Sequence, residues 1–595
     1  MLALLLAILC HSAPADGCPI GTSPAVAAHP AERADEKSLK ALAAWLKHYR
    51  TGKMLLHRKT EYQPTYLDPK DSFAVKFGLA PKGGLGDMTW LSDLEAILEQ
   101  VAKLDSPEAA MALLEIAAVG LDPADYTREM APAEVRAAGE KWLQKIVAQP
   151  ARNEIVKAAR GEAKSDKARA VAMQAAALRT LGLWRETPAR ATIEQQLGAT
   201  DALLRTHAAE ALGNLGDEAG AMAMVRALET EANDMVVQTI AQALRTLFAK
   251  HLHKPQGGAA EAKPPATPPE ALRLAVQAAI KALGRSTWRA DMTIVRLLDD
   301  FRSVEAVPAL IAVLERFRDH PEEVQSGRLS GLLLHRTHEL LVSMTGAVFP
   351  ANQPEKWREL WERERDKLEV AQRREPAAAG GTAASGFCGI PVQGTRVLFI
   401  LDLSGSMDFP MQTGGTSAGG APTAKSQNRL DFAKRELLRA MDGLAPNAWF
   451  NLVTFNGNPK AKPWNKDLVQ ANEKNRERFR KFVEDLDADG GTNFWSAIEE
   501  GLKMKSLVYG ARYETNCDEI FVLSDGAPSV GDVLDPIEIL RLVKECNRFA
   551  GMRINTVYIS SPDPAGQPPM PWMTITPEEM MKRMADQNGG RFVNL

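Results

Sequence analysis

The sequence predicts a protein of α plus α/β class: an N-terminal α-solenoid of stacked helical pairs, then a C-terminal doubly wound α/β domain. Three observations predict it. From about residue 35 to 370 the chain is rich in Ala and Leu at helical spacing, with few strand signals. Within that stretch Leu181, Leu215, Leu247 and Leu283 close similar segments at intervals of 34, 32 and 36 residues, the mark of a repeated unit. From about 390 to 595, apolar runs alternate with amphipathic stretches, the pattern of a parallel sheet covered on both faces.

Taken in order, the chain opens on an apolar run, Met1 to Cys10, followed by Ser12-Ala13-Pro14-Ala15. This reads as a secretory signal cut after Ala15, although no Lys or Arg precedes the run. Residues 1–15 are thus expected to be a signal peptide and 16–35 a flexible N-terminus. The mature chain is expected to be exported, periplasmic or extracellular. Cys10 and Cys18 lack the small-residue setting of lipoprotein processing. No later apolar stretch is long enough to span a bilayer. Residues 36–150 form a helical region assigned only in part. Helices are expected at 40–50 and 92–119, whereas 51–91 mixes Pro, Gly and Tyr and supports no assignment.

Residues 151–370 carry the repeats. The segment His207-Ala208-Ala209-Glu210-Ala211-Leu212-Gly213-Asn214-Leu215-Gly216-Asp217 resembles a HEAT repeat. Its small Ala residues let two helices approach, and Gly with Asp makes the turn. Such repeats cannot bury a core alone, so several must stack. A Pro/Gly/Ala-rich break at 254–269 interrupts the array. Trp357 and Trp361, four apart, are expected to close it as a terminal cap. Residues 371–389 are expected to be the linker.

The α/β domain occupies 390–595. Strands are predicted at 395–402, 448–455, 519–524, 553–559 and 591–594. Helices are predicted at 428–442, 474–486, 494–505, 536–550 and 577–587. The strands read as nearly continuous apolar runs, as strands buried on both faces should. In such sheets ligands bind beyond the carboxyl ends of the strands, at a switch point.

The most informative junction lies at one of those ends. Val397-Leu398-Phe399-Ile400-Leu401 runs into Asp402-Leu403-Ser404-Gly405-Ser406. A carboxylate and two hydroxyls follow a buried strand, in a turn that Gly405 lets tighten. Oxygen donors without His or Cys suit a hard divalent cation such as Mg²⁺, Mn²⁺ or Ca²⁺, and argue against zinc. Two later segments add to it. Asp489-Gly490-Gly491-Thr492-Asn493 precedes a helix, so the Thr492 hydroxyl is either an N-cap or a ligand. Ile520-Phe521-Val522-Leu523-Ser524-Asp525-Gly526 is again an apolar run ending in a carboxylate.

Asp-x-Ser-x-Ser, then Thr, then Asp, in this order, resembles the metal-ion-dependent adhesion site of the von Willebrand factor type A domain. The resemblance covers about 390–595, and Asp402, Ser404, Ser406, Thr492 and Asp525 match its five positions. It implies a divalent cation held by the three hydroxyls, with the two carboxylates acting directly or through water. It further implies an open position that an acidic side chain of a protein partner completes, hence adhesion or assembly and no catalysis.

Other classes fare worse. Lys+Arg 72 against Asp+Glu 75 leaves a net charge of −3 and no basic run, so a nucleic-acid partner has no support. Gly419-Gly420-Ala421-Pro422-Thr423-Ala424-Lys425-Ser426 imitates a phosphate-binding loop, but Ala424 stands where the second Gly belongs and no strand precedes it. His335 and His338 are three apart on a helix without a third ligand, which favours a structural role. No Ser/His/Asp or Cys/His set is evident. A metal-dependent hydrolase and a purely structural scaffold that binds through its solenoid remain the alternatives. Four cysteines would survive signal cleavage, too few for a disulfide framework. Cys517, before one strand, and Cys546, late in the helix that returns beside it, are a candidate disulfide; the alternative is two buried free thiols.

Overall fold

The structure is a computed structural model that describes residues 30–51, 67–79, 89–121, 132–163, 169–252, 269–370, 386–411, 428–503, 516–560 and 573–595. The expected signal peptide, nearly all of the Pro-rich break, the linker up to 385 and the phosphate-loop imitation at 419–426 lie outside the described residues. The described chain divides into two compact units, with the boundary at Leu215/Gly216.

The first unit is helical. The expected helix at 92–119 is two helices, Trp90–Ala102 and Pro107–Ala117. Ser106 breaks the run: its hydroxyl caps the second helix at Ala109 N, and Pro107 takes the first turn, where no amide is needed. Within 51–91 a short helix, Phe73–Lys76, is held by the buried Asp93 carboxylate, which accepts from Ser72 Oγ at 2.6 Å and Ala74 N at 2.9 Å. The repeat signature works through small residues. Helix Ala170–Leu183 crosses helix Ala202–Leu215 where a Cβ on Gly182 would lie 2.7 Å from the Ala211 Cα. Gly216 then adopts φ +69° and ends the helix.

The second unit joins the later helical pairs to the α/β domain. Its strands are β1 Gly386–Phe387, β2 Ile390–Pro391, β3 Arg396–Asp402, β4 Trp449–Phe455, β5 Lys462–Pro463, β6 Val469–Gln470, β7 Glu519–Ser524, β8 Arg553–Tyr558 and β9 Phe592–Asn594. The main sheet runs β5-β4-β3-β7-β8-β9, parallel from β4 to β9, with β6 paired to β4. The five predicted strands are its parallel members. The antiparallel pieces β5 and β6 are two residues each, too short for a period-2 signal.

Alternate residues of β3 serve opposite faces. Val397, Phe399 and Leu401 join a core with Leu430, Ala433, Leu437, Phe450 and Phe479. Leu398 and Ile400 face helix Phe494–Leu502, where Gly501 makes room: a Cβ there would lie 2.7 Å from Ile400 Cδ1. β1 and β2 form a hairpin whose turn, Cys388-Gly389, has φ +49° and +80°, as a two-residue primed turn requires. It brings Phe387 against Phe399 and Phe521, so the last residues of the expected linker belong to the α/β core.

Helices of the second unit are fastened to the amino ends of these strands. Asp518 accepts Ser330 Oγ at 2.7 Å, and Arg396 Nη1 donates to Gln325 O at 2.9 Å. Arg289 Nε donates to Ala550 O at 2.6 Å. Gly331 lies so close that a Cβ would be 2.3 Å from Gln393 O. The aromatic cap holds for Trp357, which is fully buried edge-on to His338 and Phe349, while Trp361 is half-buried. His338 Nε2 meets Phe349 O at 2.6 Å.

The candidate Cys517–Cys546 disulfide is not formed in the structure. Cys517 Sγ points at the Arg396 and Glu519 carbonyls, at 3.1 and 3.0 Å. Burial raises both thiols, with Asp518 next for Cys517 and Glu545 then Glu499 for Cys546. The two cysteines therefore have different surroundings, one within the sheet edge and one on a helix side.

Candidate metal centre

The sheet reverses its strand order beside β3. From β3 the chain pairs β4 on one side, then crosses to β7 on the other. The switch point thus lies at the carboxyl ends of β3 and β7, where Asp402 ends one strand and Asp525 follows the other.

Three loops meet there. Leu403 N bonds to Phe455 O at 2.7 Å, and Gly405 N to Gly490 O at 2.9 Å, which ties the Asp402 turn to the Thr492 loop. Thr492 N bonds to Ser529 Oγ at 2.8 Å, and Ser529 N to Thr492 O at 3.0 Å, which ties that loop to the Asp525 loop. These bonds between the loops fix where the side chains point.

Asp402 is fully buried. One carboxylate oxygen accepts Ser404 N at 2.8 Å, the other Ser524 Oγ at 2.5 Å. Ser404 Oγ lies 3.1 Å from Ser406 Oγ, and Ser406 Oγ donates to Asp525 Oδ1 at 2.8 Å. A methyl group on Gly526 would lie 3.5 Å from Thr492 Oγ1 and 3.9 Å from Ser406 Oγ, so Gly526 leaves open the space beside both hydroxyls. All five residues singled out from the sequence are brought together.

Three features were not read from the sequence. Thr492 is not the N-cap of its helix: Asn493 is, with Oδ1 accepting from Ser496 N at 3.2 Å, which releases the Thr492 hydroxyl from that duty. Ser524 holds Asp402. Arg429, at the start of helix Arg429–Asp442, is buried and paired with Asp525 Oδ2. Its only sequence signal was a place beside Asn428 at the head of a predicted helix.

The electrostatics fit a hard cation. Burial, and then the charge of Asp525, pushes the Asp402 carboxyl up to about 7. Two buried acidic groups are short of positive charge, and the Arg429 guanidinium supplies one unit of it. The donors are carboxylate and hydroxyl oxygens without nitrogen or sulfur, the set that suits Mg²⁺, Mn²⁺ or Ca²⁺.

Comparison with known proteins gives the same fold. A family model for the von Willebrand factor type A domain matches residues 422–593, and one for HEAT repeats matches 163–245. The chain carries a von Willebrand factor type A domain. The matched span of this type A domain begins after Ser406; β3, which ends in Asp402, belongs to the domain through its pairing between β4 and β7. Among curated proteins, mouse inter-alpha-trypsin inhibitor heavy chain 4 is 27% identical over 158 residues, 26% of this chain and 14% of that one. Human inter-alpha-trypsin inhibitor heavy chain H3 is 29% identical over 149 residues, 24% of this chain and 14% of that one. The match thus spans 14% of the length of each of these relatives. Among solved structures, the von Willebrand factor type A protein from Catenulispora acidiphila aligns over 34% of this chain and 38% of its own, at 17% identity and a TM-score of 0.24. Among the described residues no helix is long and apolar enough to cross a membrane.

Proposed function

We propose that the type A domain is a metal-dependent protein-binding module of an exported chain, used in adhesion or assembly, and that it works by binding and not by catalysis. The observation that carries this reading is the convergence of Asp402, Ser404, Ser406, Thr492 and Asp525 from three loops on the switch point of the sheet. Asp402 and Asp525 supply the negative charge, and Ser404, Ser406 and Thr492 supply neutral oxygens. The cation of choice is Mg²⁺, with Mn²⁺ or Ca²⁺ accepted by the same donors. When bound, it offers a Lewis-acidic contact to a carboxylate. The chain's part is to hold the donors in place through the Leu403, Gly405 and Thr492 backbone bonds, and to leave the Gly526 side open. An acidic side chain of a protein partner then completes the site. The helical repeats add a second, extended surface.

The test is Asp402→Ala. Calorimetric Mg²⁺ binding should be lost, with the circular dichroism of the parent retained. Equal Mg²⁺ affinity in mutant and parent would sink the reading.

A further inference from the structure

We infer that Arg429 sets the charge of the site: its fixed guanidinium weakens cation binding and keeps the loaded site positive, which makes it selective for an anionic partner group. This rests on the metal-binding reading above.

Arg429 is built in. Its side chain is 2% exposed and that of Asp525 0%. Nη1 reaches Asp525 Oδ2 and, at 3.4 Å, the carbonyl oxygen of Ser406. The backbone is pinned as well: Arg429 N donates to Phe409 O at 3.0 Å, and the neighbouring Asn428 Oδ1 caps the helix at Asp431 N. The guanidinium also lies 5.8 Å from the centre of the Phe409 ring. Swinging the side chain away would cost these contacts and strand a charged group among apolar neighbours. An arginine keeps its proton at any accessible pH, so the charge is permanent.

The arithmetic follows. Asp402 and Asp525 bring two negative charges when ionised, and Arg429 brings one positive. The empty donor set therefore carries −1, and a divalent cation takes it to +1. A carboxylate partner then makes the whole assembly neutral. Without Arg429 the loaded site would already be neutral, and an anion would gain little by entering. The same guanidinium repels the cation at short range in a site that water screens poorly. Losing it frees Asp525 of one partner only, because Ser406 Oγ still donates to Oδ1. Repulsion thus outweighs positioning, and Arg429 acts as a positioning and charge-setting residue that the partner does not touch.

The experiment compares the parent chain with Arg429→Gln, Arg429→Lys and Arg429→Met by calorimetry, first with Mg²⁺ and then with acetate added to the Mg²⁺-loaded protein. Arg429→Gln should bind Mg²⁺ about tenfold more tightly and acetate several-fold more weakly, as expected for removing one nearby like charge. Arg429→Lys should keep both parent values. Arg429→Met, which fills the space of the stem, carries the test if the Gln variant does not fold, as thermal melts would reveal. Parent-like or weaker Mg²⁺ binding in folded Gln or Met variants overturns the inference while leaving the metal reading intact. A parent that takes up neither Mg²⁺ nor Mn²⁺ overturns both.

Discussion

Replacing Asp518 by Ala should loosen the joint between the helices of the second unit and the sheet. The carboxylate is 1% exposed. Oδ2 accepts Ser330 Oγ at 2.7 Å, Thr395 N at 3.0 Å and Thr395 Oγ1 at 3.0 Å, and Oδ1 accepts Arg396 N at 3.0 Å. Removal takes the acceptor from two backbone N–H groups, the buried one of Arg396 and the half-buried one of Thr395. Each costs about 1–3 kcal/mol, whereas the two hydroxyls can turn elsewhere at smaller cost. Relief of the buried charge returns part of this, so a net loss of about 3 kcal/mol is expected. For a unit of this size that lowers the melting temperature by roughly 3–5 °C. Asp518→Asn should do little better, since one of the two oxygens becomes an NH2 donor facing other donors. Ser330→Ala should cost only about 1 kcal/mol, because three donors still hold Asp518. Urea unfolding gives the free energies, and hydrogen exchange at the Thr395 and Arg396 amides localises the effect. A loss under about 1 kcal/mol with unchanged exchange at those amides would refute the reasoning, since even one stranded amide costs that much.

Two further outcomes follow from other parts of the chain. Burial raises the Asp291 carboxyl to about 7, with Gly284 N and Arg316 opposing the shift. A carboxyl raised in the folded state binds protons that the unfolded state has released, so its contribution falls as pH rises from about 4 to about 7. Asp291→Asn keeps an acceptor for Gly284 N and should flatten that slope, gaining roughly 1–3 kcal/mol at pH 8, read from urea unfolding at pH 5 and pH 8. An unchanged slope would contradict it. Gly182→Val should destabilise the first unit by about 1–3 kcal/mol, since its Cβ meets the Ala211 backbone and not a flexible tip; a melt equal to the parent's would contradict the close crossing.

The α/β domain was legible because β3, β4 and β7, at the centre of its parallel sheet, are largely apolar runs of six or seven residues, long enough to carry a signal. The site was legible for a related reason. Asp402, Ser404 and Ser406 are near one another in sequence, and the strand end fixes which way they face. Arg429 escaped because its partner is 96 residues away and an arginine heading a helix has many ordinary uses. Asn493 escaped because Thr and Asn are both accepted N-caps, and the fold decides which of two adjacent candidates does so. The direction of the Cys517 thiol was not legible: it lies near the right end of the sheet but turns toward the Arg396 carbonyl of β3 and the Glu519 carbonyl of β7. The joint at Asp518 was invisible because Ser330 and Asp518 are 188 residues apart, and neither local pattern calls for the other.

β3 and β7 carry both the site and the joint. At their carboxyl ends stand Asp402 and Asp525; at their amino ends Asp518 takes Ser330, and Arg396 reaches Gln325. Parallel strands hold these two functions on opposite edges of one sheet, a strand length of about 20 Å apart. The helices at the joint are therefore fastened at the edge away from Asp402 and Asp525. Anchoring at the amino ends also leaves the loop bonds at Leu403, Gly405 and Thr492 as the determinants of donor placement. Metal affinity and partner capture should then respond to changes in those loops and at Arg429. Global stability should respond to changes at Asp518, and the two sets of variants should add without coupling, as distant sites with no shared partners do.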